Sequence, residues 1–234
     1  MLIKTKKKSK LQLHFENNPA RIIVCSFALL ILAGALALML PICSKAGNVT
    51  SFADALFTAT SATCVTGLIV HDTFTYFSMF GQCVILALIQ LGGLGLVTFA
   101  TFFNIAIRKK IGLKNMNLAK ESVNSDSAYD VAHLIKMIFA ITIIIEVLGA
   151  LSLATVFIPE YGIDGMFISL FLAVSAYCNA GFDILGFKGE YSSLTTYSDN
   201  PTVLITIALL IICGGLGFIV WQDLYAARKT KRLT

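Results

Sequence analysis

The chain has 234 residues, of which 57% are hydrophobic and 13% charged, with a formal net charge of +5. Its mean hydropathy is +0.82, and its share of charge is about half the roughly 25% usual for a soluble domain. These figures exclude an ordinary water-soluble globular domain and place the chain among polytopic, all-α membrane proteins.

A basic tail, residues 1–20, opens the chain and precedes an apolar run over 21–43. The pair is reminiscent of a signal peptide, but the run is long for one and has a matching counterpart later, so it reads as a membrane helix. The apolar stretch over 50–62 is too short to cross a bilayer and reads as a re-entrant half-helix; the next run, 78–107, is long enough. A polar linker over 111–128 follows. The order then repeats: a long run over 131–158, a short one over 164–178, and a long one over 201–227. Trp221 and Tyr225 sit at the far end of the last run, where amphipathic rings favour the membrane interface.

The units 21–110 and 129–234 also repeat in their letters. Residues 61–67 read Ser-Ala-Thr-Cys-Val-Thr-Gly, and 175–181 read Ser-Ala-Tyr-Cys-Asn-Ala-Gly. Downstream of each lies Gly-Gly-Leu-Gly, at 92–95 and 214–217. Gly67 and Gly181 are 114 residues apart and the Gly-Gly-Leu-Gly motifs 122, so the second unit holds about eight extra residues, around 188–196. Tandem repeats with interrupted short segments point to a transport site at the repeat interface.

Charge sets the orientation. Sixteen Lys and Arg lie in the tail with Arg21, between the second and third spans, and after the fourth; only Lys45 and Lys188 fall on the other side. The positive-inside rule puts both termini and the linker in the cytoplasm. The outward segments carry seven acids, among them Asp72 and Asp183, and favour cations.

A cation entering a membrane needs oxygen ligands in place of water, and backbone carbonyls supply them without fixed charge. Val65-Thr66-Gly67 and Asn179-Ala180-Gly181 have the small or permissive residues that such a loop needs. The half-helices before them point their partially negative C-termini at the same place. A glycine after a short helix is by itself an ordinary C-cap; two copies at matching places favour a selectivity filter.

Three carboxylates stand apart. Asp72 and Asp183, just past the turns, are candidates to enrich cations at a pore mouth. Glu146, inside the third span, either attracts or relays cations or ties its helix to neighbours. Gly92, Gly93 and Gly95, with Gly214, Gly215 and Gly217, permit either close helix approach or bending. The six cysteines form no zinc spacing or disulfide framework, and the three histidines form no local metal motif. The basic clusters at 4–10 and 228–232 suit membrane lipid or a cytoplasmic partner, although topology alone accounts for them.

Taken in order, the stretches 60–68, 90–96, 175–183 and 213–218 resemble the KtrB/TrkH group of potassium transporters, over nearly the whole chain. The resemblance implies potassium uptake, with or without sodium coupling, through carbonyls of Val65, Thr66, Gly67, Asn179, Ala180 and Gly181. It implies no enzyme chemistry, no cofactor and no nucleic-acid partner. It further implies a homodimer of full subunits on a cytoplasmic nucleotide-binding ring. Family members carry four repeats and this chain two, so the expectation is an N-terminal half completed by further sequence or by a second chain. The alternative is a non-conducting membrane scaffold or regulatory half-subunit.

Overall fold

The computed structural model describes residues 19–95, 98, 128–217 and 220–221. The basic tail up to residue 18, the linker over 111–127, the C-terminal basic cluster and Tyr225 lie outside the described residues.

The first unit begins with α1 (Pro19–Leu38). It ends because Leu40 precedes Pro41 and is pushed out of helical geometry, to φ −63°, ψ 135°. The half-helix α2 (Phe52–Thr63) starts at an N-cap serine: Ser51 Oγ accepts from the Asp54 N–H at 3.1 Å and donates to the Asp54 carboxylate at 2.8 Å. A four-residue helix, α3 (Thr73–Tyr76), leads to α4 (Met79–Gly93). The second unit holds α5 (Ala128–Tyr161), the half-helix α6 (Ile163–Tyr177) and α7 (Pro201–Gly215). Asn200 caps α7 by accepting from the Thr202 and Val203 N–H groups, with Pro201 in the first position, where a missing N–H costs nothing.

Among the described residues, two helices are long and apolar enough to cross a membrane, Arg21–Leu38 and Ile135–Tyr161. The runs over 78–107 and 201–227 were expected to span, with glycine clusters that permit close approach or bending, and the described residues show the bend. Helices α4 and α7 stop at Gly93 and Gly215, after 15 residues each. That is about 22 Å of helix, against a hydrocarbon core of about 30 Å. The cause is local: Gly95 and Gly217 stand at φ +80° and +79°, a left-handed conformation that ends an α-helix. Helical geometry recurs at Thr98 and at Val220–Trp221, and the Trp221 indole N–H donates to the Cys213 carbonyl at 3.2 Å.

Packing follows the repeat. Helix α2 packs against α1 and α4, and α6 against α5 and α7; α4 also meets α6 and joins the units. Ala55, Ala59 and Ala62, on one stripe of α2, are wholly buried. Lipid tails are as apolar as leucine, so the gain comes from close helix approach over small side chains rather than from expelling water. Phe157, Phe171, Ile85 and Leu153 are among the wholly buried side chains of the core. Leu29, Leu36, Ile144 and Leu148 point outward, each at least 58% exposed, as faces bathed in lipid should.

The loops over 39–51, 64–78 and 178–200 meet in one crown. Ser44 and Phe77 form an isolated antiparallel bridge, and the Lys45 N–H donates to the Tyr76 carbonyl. Lys188 pairs with Glu160 at 2.7 Å.

Candidate functional site

The two glycine turns have the same geometry. After α2, the N–H groups of Cys64, Val65 and Thr66 donate to Thr60, Ala62 and Ser61; after α6, those of Cys178, Asn179 and Ala180 donate to Val174, Ala176 and Ser175. Val65 and Asn179 are left-handed, at φ +51° and +58°, and Gly67 and Gly181 likewise, at +74° and +73°. For a β-branched valine this is an outlier that the surroundings must enforce.

The other side of each turn is bare. Among the described residues, no donor reaches the carbonyls of Cys64 to Gly67 or of Cys178 to Gly181. Each turn therefore spends its first three N–H groups on its own half-helix and leaves a row of carbonyl oxygens that no donor among the described residues reaches. Unpaired carbonyls in a membrane protein are costly unless something else meets them. The turns also touch. A methyl added at Gly67 would lie 2.7 Å from the Ala180 oxygen and 3.2 Å from the Gly181 Cα.

The inner-helix glycines back these turns. A methyl at Gly92 would lie 2.0 Å from the Thr63 carbonyl oxygen, and one at Gly214 would lie 1.7 Å from that of Tyr177. Matching glycines thus press on matching carbonyls just before the turns. Gly93 abuts Cys178, and Gly215 has its nearest neighbour, the Asn179 amide, at 4.0 Å. Gly95 and Gly217 make the breaks already described. The clusters combine close approach in their first residues with bending in their last.

The three carboxylates part company. Asp183 shares a cavity of about 210 Å³ with Asn179 and Gly181. Burial pushes its carboxyl above the usual carboxylate range, against the lowering effect of the Leu185 N–H, which donates to it at 3.0 Å. Asp72 is only 5% exposed and fully engaged. Its carboxylate accepts from the Phe74 and Thr75 N–H groups at the start of α3, and from the Tyr191 N–H of the other unit at 3.0 Å. Asp72 therefore clasps the extra residues of the second unit rather than facing an open mouth. Glu146 is 7% exposed, and both its oxygens accept from Gln90 Nε2, at 3.0 and 3.3 Å. It reaches neither turn directly. Gln90 and Tyr191 escaped the sequence reading. Gln90 stood two residues before the first glycine of the Gly-Gly-Leu-Gly motif as a polar residue in an apolar run, and that was the available signal.

An all-helical, strongly apolar chain with two matched half-helix turns defines a polytopic membrane protein of the transport class. The chain belongs to the TrkH cation transport protein family, whose model matches residues 2–234. That is a family of transporters, not of enzymes. The chain is 41% identical over 218 residues to the potassium/sodium uptake protein NtpJ of Enterococcus hirae, covering 93% of this chain and 47% of that protein. It is 44% identical over 215 residues to the Ktr system potassium uptake protein B of Bacillus subtilis, covering 92% and 47%. With its Vibrio alginolyticus counterpart, identity is 37% over 211 residues, covering 90% and 45%. The chain spans about half the length of the curated relatives it matches.

Proposed function

We propose that the chain supplies two strands of a potassium selectivity filter in a Ktr-type uptake system, built from two tandem helix–pore-loop–helix repeats, 21–110 and 129–234. The observation that carries this reading is the row of carbonyls along Val65-Thr66-Gly67 and Asn179-Ala180-Gly181 that no donor reaches among the described residues, beside Val65, Thr66, Asn179 and Ala180 N–H groups that bond back to their own half-helices. Such oxygens replace the water of a dehydrated potassium ion, and the C-termini of α2 and α6 add favourable potential. Asp183, on the cavity that opens from the second turn, draws cations to the mouth. Both termini and the linker are cytoplasmic, as the distribution of Lys and Arg favours.

Two strands make half a ring. Two more come from a continuation of the chain or from a second copy. The relatives named for a Ktr system support a pore subunit working with other components. On this reading full subunits pair as a homodimer on a cytoplasmic nucleotide-binding ring, and sodium accompanies potassium, as the name of the Enterococcus hirae relative suggests.

The test is rubidium uptake, as a potassium tracer, by potassium-starved cells. One culture makes the chain alone; another makes it continued by the C-terminal half of the Bacillus subtilis relative. The expected result is membrane insertion in both and selective uptake in the second. Selective uptake in the first assigns the missing strands to a second copy. Insertion without uptake in either culture rejects the filter.

A further inference from the structure

We infer that Gln90 is a positioning residue for the second filter turn, and that its bridge between Glu146 and Cys178 sets the preference for potassium over sodium. The inference rests on the reading of the turns as an ion filter.

The Gln90 amide is used at both ends. Its Nε2 donates to both Glu146 oxygens on α5, and its Oε1 accepts from the Cys178 thiol at 3.7 Å. Cys178 is the residue before Asn179. Gly93, one turn further along α4, packs on the same cysteine, since a methyl there would lie 2.7 Å from its Sγ. So α4 of the first unit holds the second unit's turn at two points. Helix α5 holds the neighbouring residue: the buried Thr142 hydroxyl donates to the Tyr177 hydroxyl at 3.2 Å. Thr142 and Glu146 are four residues apart on one helix, so they share a face. The base of the second turn thus sits between two helices, and the Gln90–Glu146 bond joins those helices.

The arrangement does not recur at the other turn. Gly34 and Gly149 meet Leu88 and Leu210 in the same way, which aligns the outer helices of the two units. At that offset Ile31 takes the place of Glu146, and Ile212 takes the place of Gln90 at the offset of the inner helices. Neither can form such a bond. A requirement of the repeat itself would appear twice; this one belongs to the seam between repeats. Polar side chains at membrane depth are costly, and a fully satisfied network of them fixes one arrangement of the parts it joins. Here the joined part is the strand that presents Asn179, Ala180 and Gly181. An oxygen cage that discriminates between two alkali ions depends on how that strand is held.

The test uses the chain continued by the C-terminal half of the Bacillus subtilis relative, and reads the ratio of rubidium to sodium uptake. Gln90→Leu lowers the ratio about tenfold, the size expected when a buried hydrogen-bond partner is left unsatisfied. Glu146→Leu lowers it too, and Glu146→Gln, which keeps an acceptor, recovers most of the loss. Cys178→Ala lowers it, while Cys178→Ser, with a stronger donor, retains it. Ser152→Ala is the control: it removes a 2.8 Å bond to Thr206 that touches no turn residue, and the ratio holds. If Gln90→Leu fails to reach the membrane, the two Cys178 variants decide. An unchanged ratio in Gln90→Leu or Cys178→Ala overturns the brace and leaves the filter standing. A parent protein that takes up both ions equally overturns the filter and the brace together.

Discussion

Gly67 and Gly181 occupy matching places, yet the same substitution should not cost the same at both. Each is left-handed, and an L-residue pays about 1–2 kcal/mol for that conformation. At Gly181 the added methyl meets one atom, the Gly67 Cα, at 3.4 Å, an ordinary contact. At Gly67 it lies 2.7 Å from the Ala180 oxygen. That oxygen is backbone and cannot swing aside, so the second turn itself must shift, and overpacking of this kind adds about 1–3 kcal/mol. Gly67→Ala therefore costs roughly 2–5 kcal/mol against about 1–2 for Gly181→Ala. At about 1.4 kcal/mol per decade, the extra cost of about 1–3 kcal/mol means that the first variant should lose at least about fivefold more of its rubidium-over-sodium preference. The assay is uptake of both ions by the completed protein, with membrane insertion checked by fractionation. Equal losses, or a larger loss at Gly181, would refute the reasoning, because the geometry of the two turns would then not govern ion choice.

The inner-helix glycines give a sharper contrast. Gly214→Ala puts a methyl 1.7 Å from a backbone oxygen, whereas at Gly215 the nearest neighbour is 4.0 Å away. In detergent the first should lower the melting temperature by more than about 6 °C and the second by less than about 2 °C; similar values would remove the close contact. Asp183 has its carboxyl pushed up by burial, so its protonated form suits the fold. Its contribution to stability is full below the ordinary carboxylate range and is lost as pH rises through the raised value. Asp183→Asn should flatten that part of the pH–melting curve, and an identical slope in parent and variant counts against the burial effect. For topology, a cysteine replacing Tyr191 should react with an impermeant thiol reagent added outside intact cells, and one replacing Asn115 should not. The opposite pattern inverts the protein in the membrane.

The half-helices were legible because each is a short apolar run ending in glycine, and two copies confirmed one another: 50–62 and 164–178 became Phe52–Thr63 and Ile163–Tyr177. The breaks at Gly95 and Gly217 were legible only as one of two alternatives, close approach or bending, since hydropathy continues unchanged through a glycine in either backbone conformation. The role of Asp72 was not legible. Sequence places it just past a turn, but its third hydrogen bond comes from Tyr191, 119 residues away, and no local pattern encodes a partner at that distance. The same holds for Gln90 and Glu146, 56 residues apart. Glu146 was conspicuous as a lone acid among isoleucines; the residue that satisfies it was not.

The two turns are written into one chain rather than copied by rotation. In a ring of identical subunits, a single codon change alters every wall of the ion path at once. Here Val65 can change while Asn179 stays, and they already differ, with a β-branched hydrocarbon in one and an amide in the other at the same strained φ. On the proposed reading of the turns as a filter, each of the two is thus open to selection on its own. Ion preference in such a protein can drift in small asymmetric steps, none of which has to be tolerated at all positions together.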